Sequence, residues 1–178
     1  MSSSFSQRQL RDALGTFATG VAVITAVRPD GEPVGITANS LTSVSLEPAL
    51  LLWCLAASST NVGAFAVGRS FAVHFLAHDQ QALARHFARR LGDKFDVDQH
   101  WRSDPQPPTL ANTLCRFDCQ VHSDTAAGDH RIIVGEILGL TRHPGTPLVF
   151  HEGRFGFFTP DPGAAHADPW DHWRGDWL

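Results

Sequence analysis

Short apolar, β-branched runs broken by turn residues recur along this chain, and few architectures can bury them all. They are VAVITAV (21–27), ALLLWCLA (49–56), SFAVHFLA (70–77), LCRFDCQVHS (114–123), RIIVGEILGLTR (131–142) and PLVFH (147–151), the last with GRFGFF (153–158) as its hairpin mate. Asp-Gly at the tip of RPDGEP (28–33) marks a further hairpin turn. Helical spacing is confined to a few stretches. Leu10, Ala13, Leu14 and Phe17 share one face of an N-terminal segment that Gly20 closes, and Leu83, Phe87 and Leu91 share one face of a segment with Asp79 at its N-cap. SSTNVGAFAVG (58–68) reads as a short capped helix ended by Gly68, and the proline-rich DVDQHWRSDPQPP (96–108) as a loop. Helices do not alternate with strands and no GxGxxG follows a strand, which argues against a Rossmann sheet. The pattern predicts a mostly β domain, a closed or nearly closed barrel with a few flanking helices.

Length and charge narrow the function classes. The 178 residues suit one domain with a real core, and a formal charge of -4 without a basic stripe gives no electrostatic case for nucleic acid. PALLLWCLAA is about half the length of a membrane span, and MSSSFSQRQLRDALG lacks the basic-then-apolar order of a signal peptide. The three cysteines include no CxxC pair, and in LCRFDCQV the alternation puts Cys115 and Cys119 on an inner strand face as buried thiols, with a redox pair as the alternative. A cytoplasmic location, with no membrane partner, is the expectation. Composition changes after Pro160, so we divide the chain into a domain at 1–160 and an acidic tail at 161–178 holding Trp170, Trp173 and Trp177.

Three places could carry chemistry. In TANSLTSVS (37–45), hydroxyl and amide side chains crowd an extended segment, which suits either the edge of a flat polar ligand or a solvated edge strand. Ser58, Ser59, Thr60 and Asn61 follow a buried strand and open the short helix, as an anion site for a phosphate or as plain caps, and Lys94 in GDKF could add a positive charge. The Gly128–Asp129 turn fixes where His130 points, whether as a hydrogen-bonding group or as an exposed turn histidine. Although the chain has ten histidines, none combines with Asp, Glu or Cys at ligand spacing, and FHEGR is not HExxH, so no metal is expected. A GxSxG nucleophile elbow is absent too.

FATGVAVIT, GITANSLTSVSLEPALLLWCL, SFAVHFLAHDQ, GDH and GEIL occur in that order, and from about Arg8 to Phe158 the chain resembles the short-chain flavin reductases. These are the reductase components of two-component flavin-dependent monooxygenases. The resemblance implies an FMN-binding split β-barrel, a homodimer with flavin near the subunit interface. It also implies use of NADH, sometimes NADPH, to reduce FAD or FMN by direct hydride transfer from nicotinamide C4 to flavin N5. Reduced flavin would then diffuse to an oxygenase component. Carried over by motif, Thr37, Ala38, Asn39 and Ser40 would line the isoalloxazine edge, with Ser43 and Ser45 close by. Cys54, Ser59, Thr60 and Asn61 would bracket the ribityl chain and phosphate, Lys94 and Phe95 would close that end, and Phe155 would lie against the flavin or nicotinamide face. His130 would meet the reduced nicotinamide as a positioning group. His74 stands where relatives commonly have Asn. The rival readings are a non-catalytic flavin- or haem-binding barrel and an adaptor that docks through the tryptophan tail.

Overall fold

The computed structural model describes residues 4–89, 94–95, 101–102 and 107–162; the tail tryptophans and Leu91 lie outside the described residues. In chain order the first half comprises α1 (Gln7–Gly15), β1 (Thr19–Gly20), β2 (Ala22–Val27), β3 (Pro33–Ala38), β4 (Thr42–Leu46), β5 (Ala49–Ala56), a 3-10 turn (Val62–Phe65), β6 (Ser70–Phe75) and α2 (Gln81–Phe87). There follow β7 (Trp101–Arg102), β8 (Thr109–Leu110), β9 (Cys115–Ala127), β10 (His130–Arg142), β11 (Leu148–His151) and β12 (Arg154–Phe157). Seven strands form one antiparallel sheet in the order β3-β2-β6-β9-β10-β5-β4.

That order decides the shape. β3 and β4 are consecutive in sequence yet occupy opposite edges of the sheet, and only Asn39, Ser40 and Leu41 join them. Such a link spans at most about 14 Å when fully extended. The sheet therefore curls until its edges face one another, and with no ladder between β3 and β4 the barrel stays split along that seam. β1, β11 and β12 make a small second sheet.

Apolar packing lies on both sides of the strands. Ile24, Trp53, Phe65, Phe71 and Ile133 fill the barrel, and Val23, Leu76, Ala84, Phe87 and Phe95 form a second cluster under α2. Because both faces are covered, β6 is buried at four successive residues, Phe71 to His74, and its alternation does not separate inside from outside. Gly35 on β3 is required by this packing: a methyl group there would overlap the Phe87 ring. Cys115 and Cys119 are buried free thiols, and burial pushes the Cys119 pKa up to about 12, an inert structural state.

Several local expectations change. α1 opens on a Ser6–Gln9 capping box and ends at Gly15, while Gly20 sits in β1, paired with Val149. Gln80 rather than Asp79 occupies the α2 N-cap and makes no side-chain cap; its amide oxygen accepts from the Ala77 N–H at 2.9 Å. Trp101 and Arg102, in the stretch read as loop, pair with Leu110 and Thr109. The expected short helix is four residues of 3-10 turn without a side-chain cap, so an anion site gains little from a helix dipole there.

Candidate functional site

The seam opens into a groove of about 510 Å³. Its floor is the free edge of β3 and the link beyond it, Ile36 to Ser40; β5 contributes Cys54 to Ala56, the following loop Ser58 to Asn61, and the end of α2 with the two residues after it Phe87 to Arg89. Lys94 and His130 complete it. Ten of the residues singled out in the sequence are thus brought together: Thr37, Ala38, Asn39, Ser40, Cys54, Ser59, Thr60, Asn61, Lys94 and His130. This volume lies within the range of pockets that enclose small organic ligands.

Several wall groups are already committed. The Thr37 hydroxyl donates to the Ala84 carbonyl at 2.7 Å, tying α2 to β3. The Ser40 Oγ accepts from the Cys54 N–H at 3.0 Å, so the link is held against β5 by a side chain where a strand ladder is missing. The Ser59 Oγ accepts from the Asn61 N–H at 3.2 Å and shapes the loop. Asn39 and Thr60 are exposed, and their side chains make no hydrogen bond with the described residues. Lys94 has a structural duty: its ammonium donates to the carbonyls of Gly35 at 2.8 Å and Phe87 at 2.9 Å, locking the end of α2 onto β3. Burial lowers its pKa.

His130 is delivered by the tightest possible hairpin. Ala127 and His130 are paired, leaving only Gly128 and Asp129 in the turn, and Gly128 at φ 64° takes the first turn position that favours glycine. The Asp129 carbonyl accepts from the Ala57 N–H at 2.9 Å, which draws the turn to the end of β5 beside the Ser58–Asn61 loop. Asp129 also orients the ring itself: its carboxylate takes a hydrogen bond from Nδ1 at 2.7 Å, which leaves Nε2 as the nitrogen available to a ligand. That bond to His130 holds the Asp129 carboxyl below the usual carboxylate range. Behind the turn, Arg131 grips Asp124 across the hairpin through two bonds, at 2.7 and 2.8 Å.

Four predicted positions fall elsewhere. Ser43 and Ser45 lie along β4, paired with Leu51 and Leu50, and line neither this groove nor its neighbour. Phe95 is 7% exposed and packs on Phe87 in the second core cluster, where it supports the wall from behind. Phe155 lines an adjoining groove of about 420 Å³ together with Arg85, and the two grooves share Thr37, Asn39, Ala88 and Arg89. His74 is fully buried, with Nδ1 3.2 Å from the Val23 carbonyl and Nε2 accepting from the Leu110 N–H at 3.2 Å, so its role is internal to the fold. Sequence reading passed over Arg85 and Arg89; their four-residue spacing in the segment expected to be helical was the available signal, although α2 ends at Phe87, before Arg89. Among the described residues no group of His, Cys, Asp and Glu could hold a metal ion.

Residues 14–159 match the model of the flavin reductase like domain. FMN reductase (NADH) of Agrobacterium fabrum is 46% identical over 153 residues, which make up 85% of this chain and 86% of that protein. The reductase component of the flavin-dependent trigonelline monooxygenase of Acinetobacter baylyi is 40% identical, and the match covers 86% of this chain but 49% of that protein. The solved structure of the Streptomyces globisporus NADH:FAD oxidoreductase in complex with NAD and FAD fragments superposes with a TM-score of 0.81 at 38% identity, covering 91% of this chain and 98% of that one. With its split sheet, its seam groove and a match from Leu14 to Thr159, the chain belongs to the flavin reductase-like domain family.

Proposed function

We propose that this chain is an NADH-dependent flavin reductase that supplies reduced FAD or FMN to an oxygenase component. The observation that carries the reading is the seam groove: an unpaired strand edge, a hydroxyl-rich loop and an oriented imidazole around a volume suited to a flat ring with a polar tail. Flavin bound there supplies the hydride acceptor and NADH the donor, so the protein need provide neither a nucleophile nor a strong base. The free edge of β3 at Thr37–Ser40 offers backbone N–H and C=O groups to the ring system. The Ser58–Asn61 loop takes the phosphate end through hydroxyl and amide donors. Asp129 fixes the tautomer and direction of His130, whose Nε2 hydrogen-bonds the nicotinamide carboxamide or a phosphate and aligns the donor. Ser43 and Ser45 line neither groove, and Phe95 supports the wall from within the second core cluster.

A homodimer is part of the proposal. α1 buries none of its residues, and Leu14 and Phe17 are 67% and 77% exposed; Leu46, Leu138, Leu140 and Phe157 are uncovered as well. Apolar area on that scale fits a second copy of the chain. Relatives are reductase components of monooxygenase systems, which supports an oxygenase as recipient of the product. Three free cysteines fit the reducing cytoplasm, and among the described residues no helix is long and apolar enough to cross a membrane.

The deciding experiment is NADH oxidation by the purified protein with FAD, with FMN and with no flavin added. Turnover that depends on added flavin is expected. A protein that binds flavin but leaves NADH unoxidised refutes the reading and favours a non-catalytic flavin holder.

A further inference from the structure

The second groove has a chemistry of its own. Arg85 lies over the face of Phe155, its guanidinium carbon 5.1 Å from the ring centroid. One turn back, Gln81, with its amide oxygen turned inward, accepts from the same guanidinium at 2.9 and 3.2 Å. Arg85 is therefore aimed before any ligand arrives, with part of its fork of donors unspent. Arg89, four residues on, lines both grooves, and its guanidinium has no partner among the described residues. The contrast with other arginines is informative. Arg8, Arg28, Arg116 and Arg131 are each paired with an aspartate, whereas no carboxylate lines either groove among the described residues. Lys94, the other fixed cation of the site, spends two of its three donors on main-chain carbonyls.

Two guanidiniums four residues apart, one on α2 and one just past its C-cap, unneutralised and beside an aromatic face, match a diphosphate with a flat ring attached. We propose that the groove walled by Arg85, Arg89 and Phe155 receives the adenosine diphosphate arm of a dinucleotide while the seam groove holds the reacting rings, with Arg89 placed between the two. The inference rests on the reductase reading. FAD and NADH both carry this arm and FMN does not, so one measurement identifies which of the two uses it.

The test is steady-state NADH oxidation with FAD and with FMN by the full chain, as wild type, Arg85→Gln, Arg89→Gln and the double variant. Arg142→Gln, whose position lines neither groove, serves as the charge control. In the double variant one dinucleotide KM should rise about tenfold or more, with ADP weakened as a competitive inhibitor to a similar extent. If FAD supplies the arm, the ratio of the FAD KM to the FMN KM rises; if NADH supplies it, the NADH KM rises with either flavin. Values within twofold of wild type overturn the assignment, and so does an equal loss with every substrate or an equal effect of Arg142→Gln. Should the wild type oxidise no NADH, the reductase reading fails by itself. Calorimetric titration of ADP into wild type and double variant then still decides the groove: binding lost in the variant supports it, and no binding or equal binding overturns it.

Discussion

His74 gives the sharpest quantitative prediction. The ring is fully buried between β2 and β8, accepting from the Leu110 N–H and meeting the Val23 carbonyl, so the neutral form with the proton on Nδ1 satisfies both bonds. Burial lowers its pKa from 6.5 to about 4, the Val23 carbonyl resisting the shift only in part. In the unfolded chain the imidazole protonates around pH 6.5, so the contribution is whole above that pH and is lost as the pH falls toward 4. The gap between 6.5 and about 4 is worth about 3 kcal/mol in full, of which about 2 kcal/mol is gone at pH 5. The assay is urea unfolding of wild type and His74→Gln at pH 7.5, 6 and 5. The variant should be less stable at pH 7.5, because it cannot reach both partners, but it should lose about 2 kcal/mol less than wild type between pH 7.5 and 5. Exposed histidines and carboxylates are common to both proteins and cancel in the difference. Parallel curves for the two proteins would refute the reasoning, since His74 would then not be the buried neutral base.

The other predictions concern the walls of the groove. Asp129→Asn should lower kcat/KM for NADH about tenfold with unchanged thermal stability, because the carboxylate orients His130 from a fully exposed turn; initial rates at fixed flavin check it. Lys94→Met should lower stability by about 1–3 kcal/mol and raise the flavin KM, because the Gly35 and Phe87 carbonyls lose a shared donor; thermal melting and flavin titration check it. Gly35→Ala should cost about 1–3 kcal/mol by driving a methyl group into Phe87, measured as a lower urea midpoint.

The strands and their turns were legible because they depend on local rules. Period-two runs, Asp-Gly at the first hairpin and a glycine-first turn before His130 all act within a few residues. What failed to show was set by distant partners. Asp129 reads as a turn residue until its neighbour's ring is seen to close on it. Phe95, beside Lys94, looks like a ligand contact, but Gly35, sixty positions earlier, leaves the gap under which Phe87 and Phe95 pack. Arg85 and Arg89 look like ordinary helix-surface charge, and only the β11–β12 hairpin, which brings Phe155 beneath Arg85, turns them into a groove wall. Ser43 and Ser45 share the composition of the link that precedes them but pair into β4, away from the groove.

The placement of the groove follows from topology more than from any single residue. Had β3 and β4 paired, the barrel would be closed, and the backbone of Thr37 to Ser40 would be consumed in a ladder. The three-residue link forces the opposite edges together, and because no ladder joins them the free main-chain edge of β3 faces the place where β5 and the His130 turn also end. Ser40 closes the gap with one side-chain bond to Cys54, enough to hold the link in place without covering β3. A flat ligand with donors and acceptors along its rim can complete what the missing ladder leaves open. Lengthening the link at Leu41 by two glycines removes the constraint that holds the edges together. It should weaken flavin binding more than it lowers the melting temperature, because of the three link residues only Leu41 packs against the barrel core, and that only partly buried.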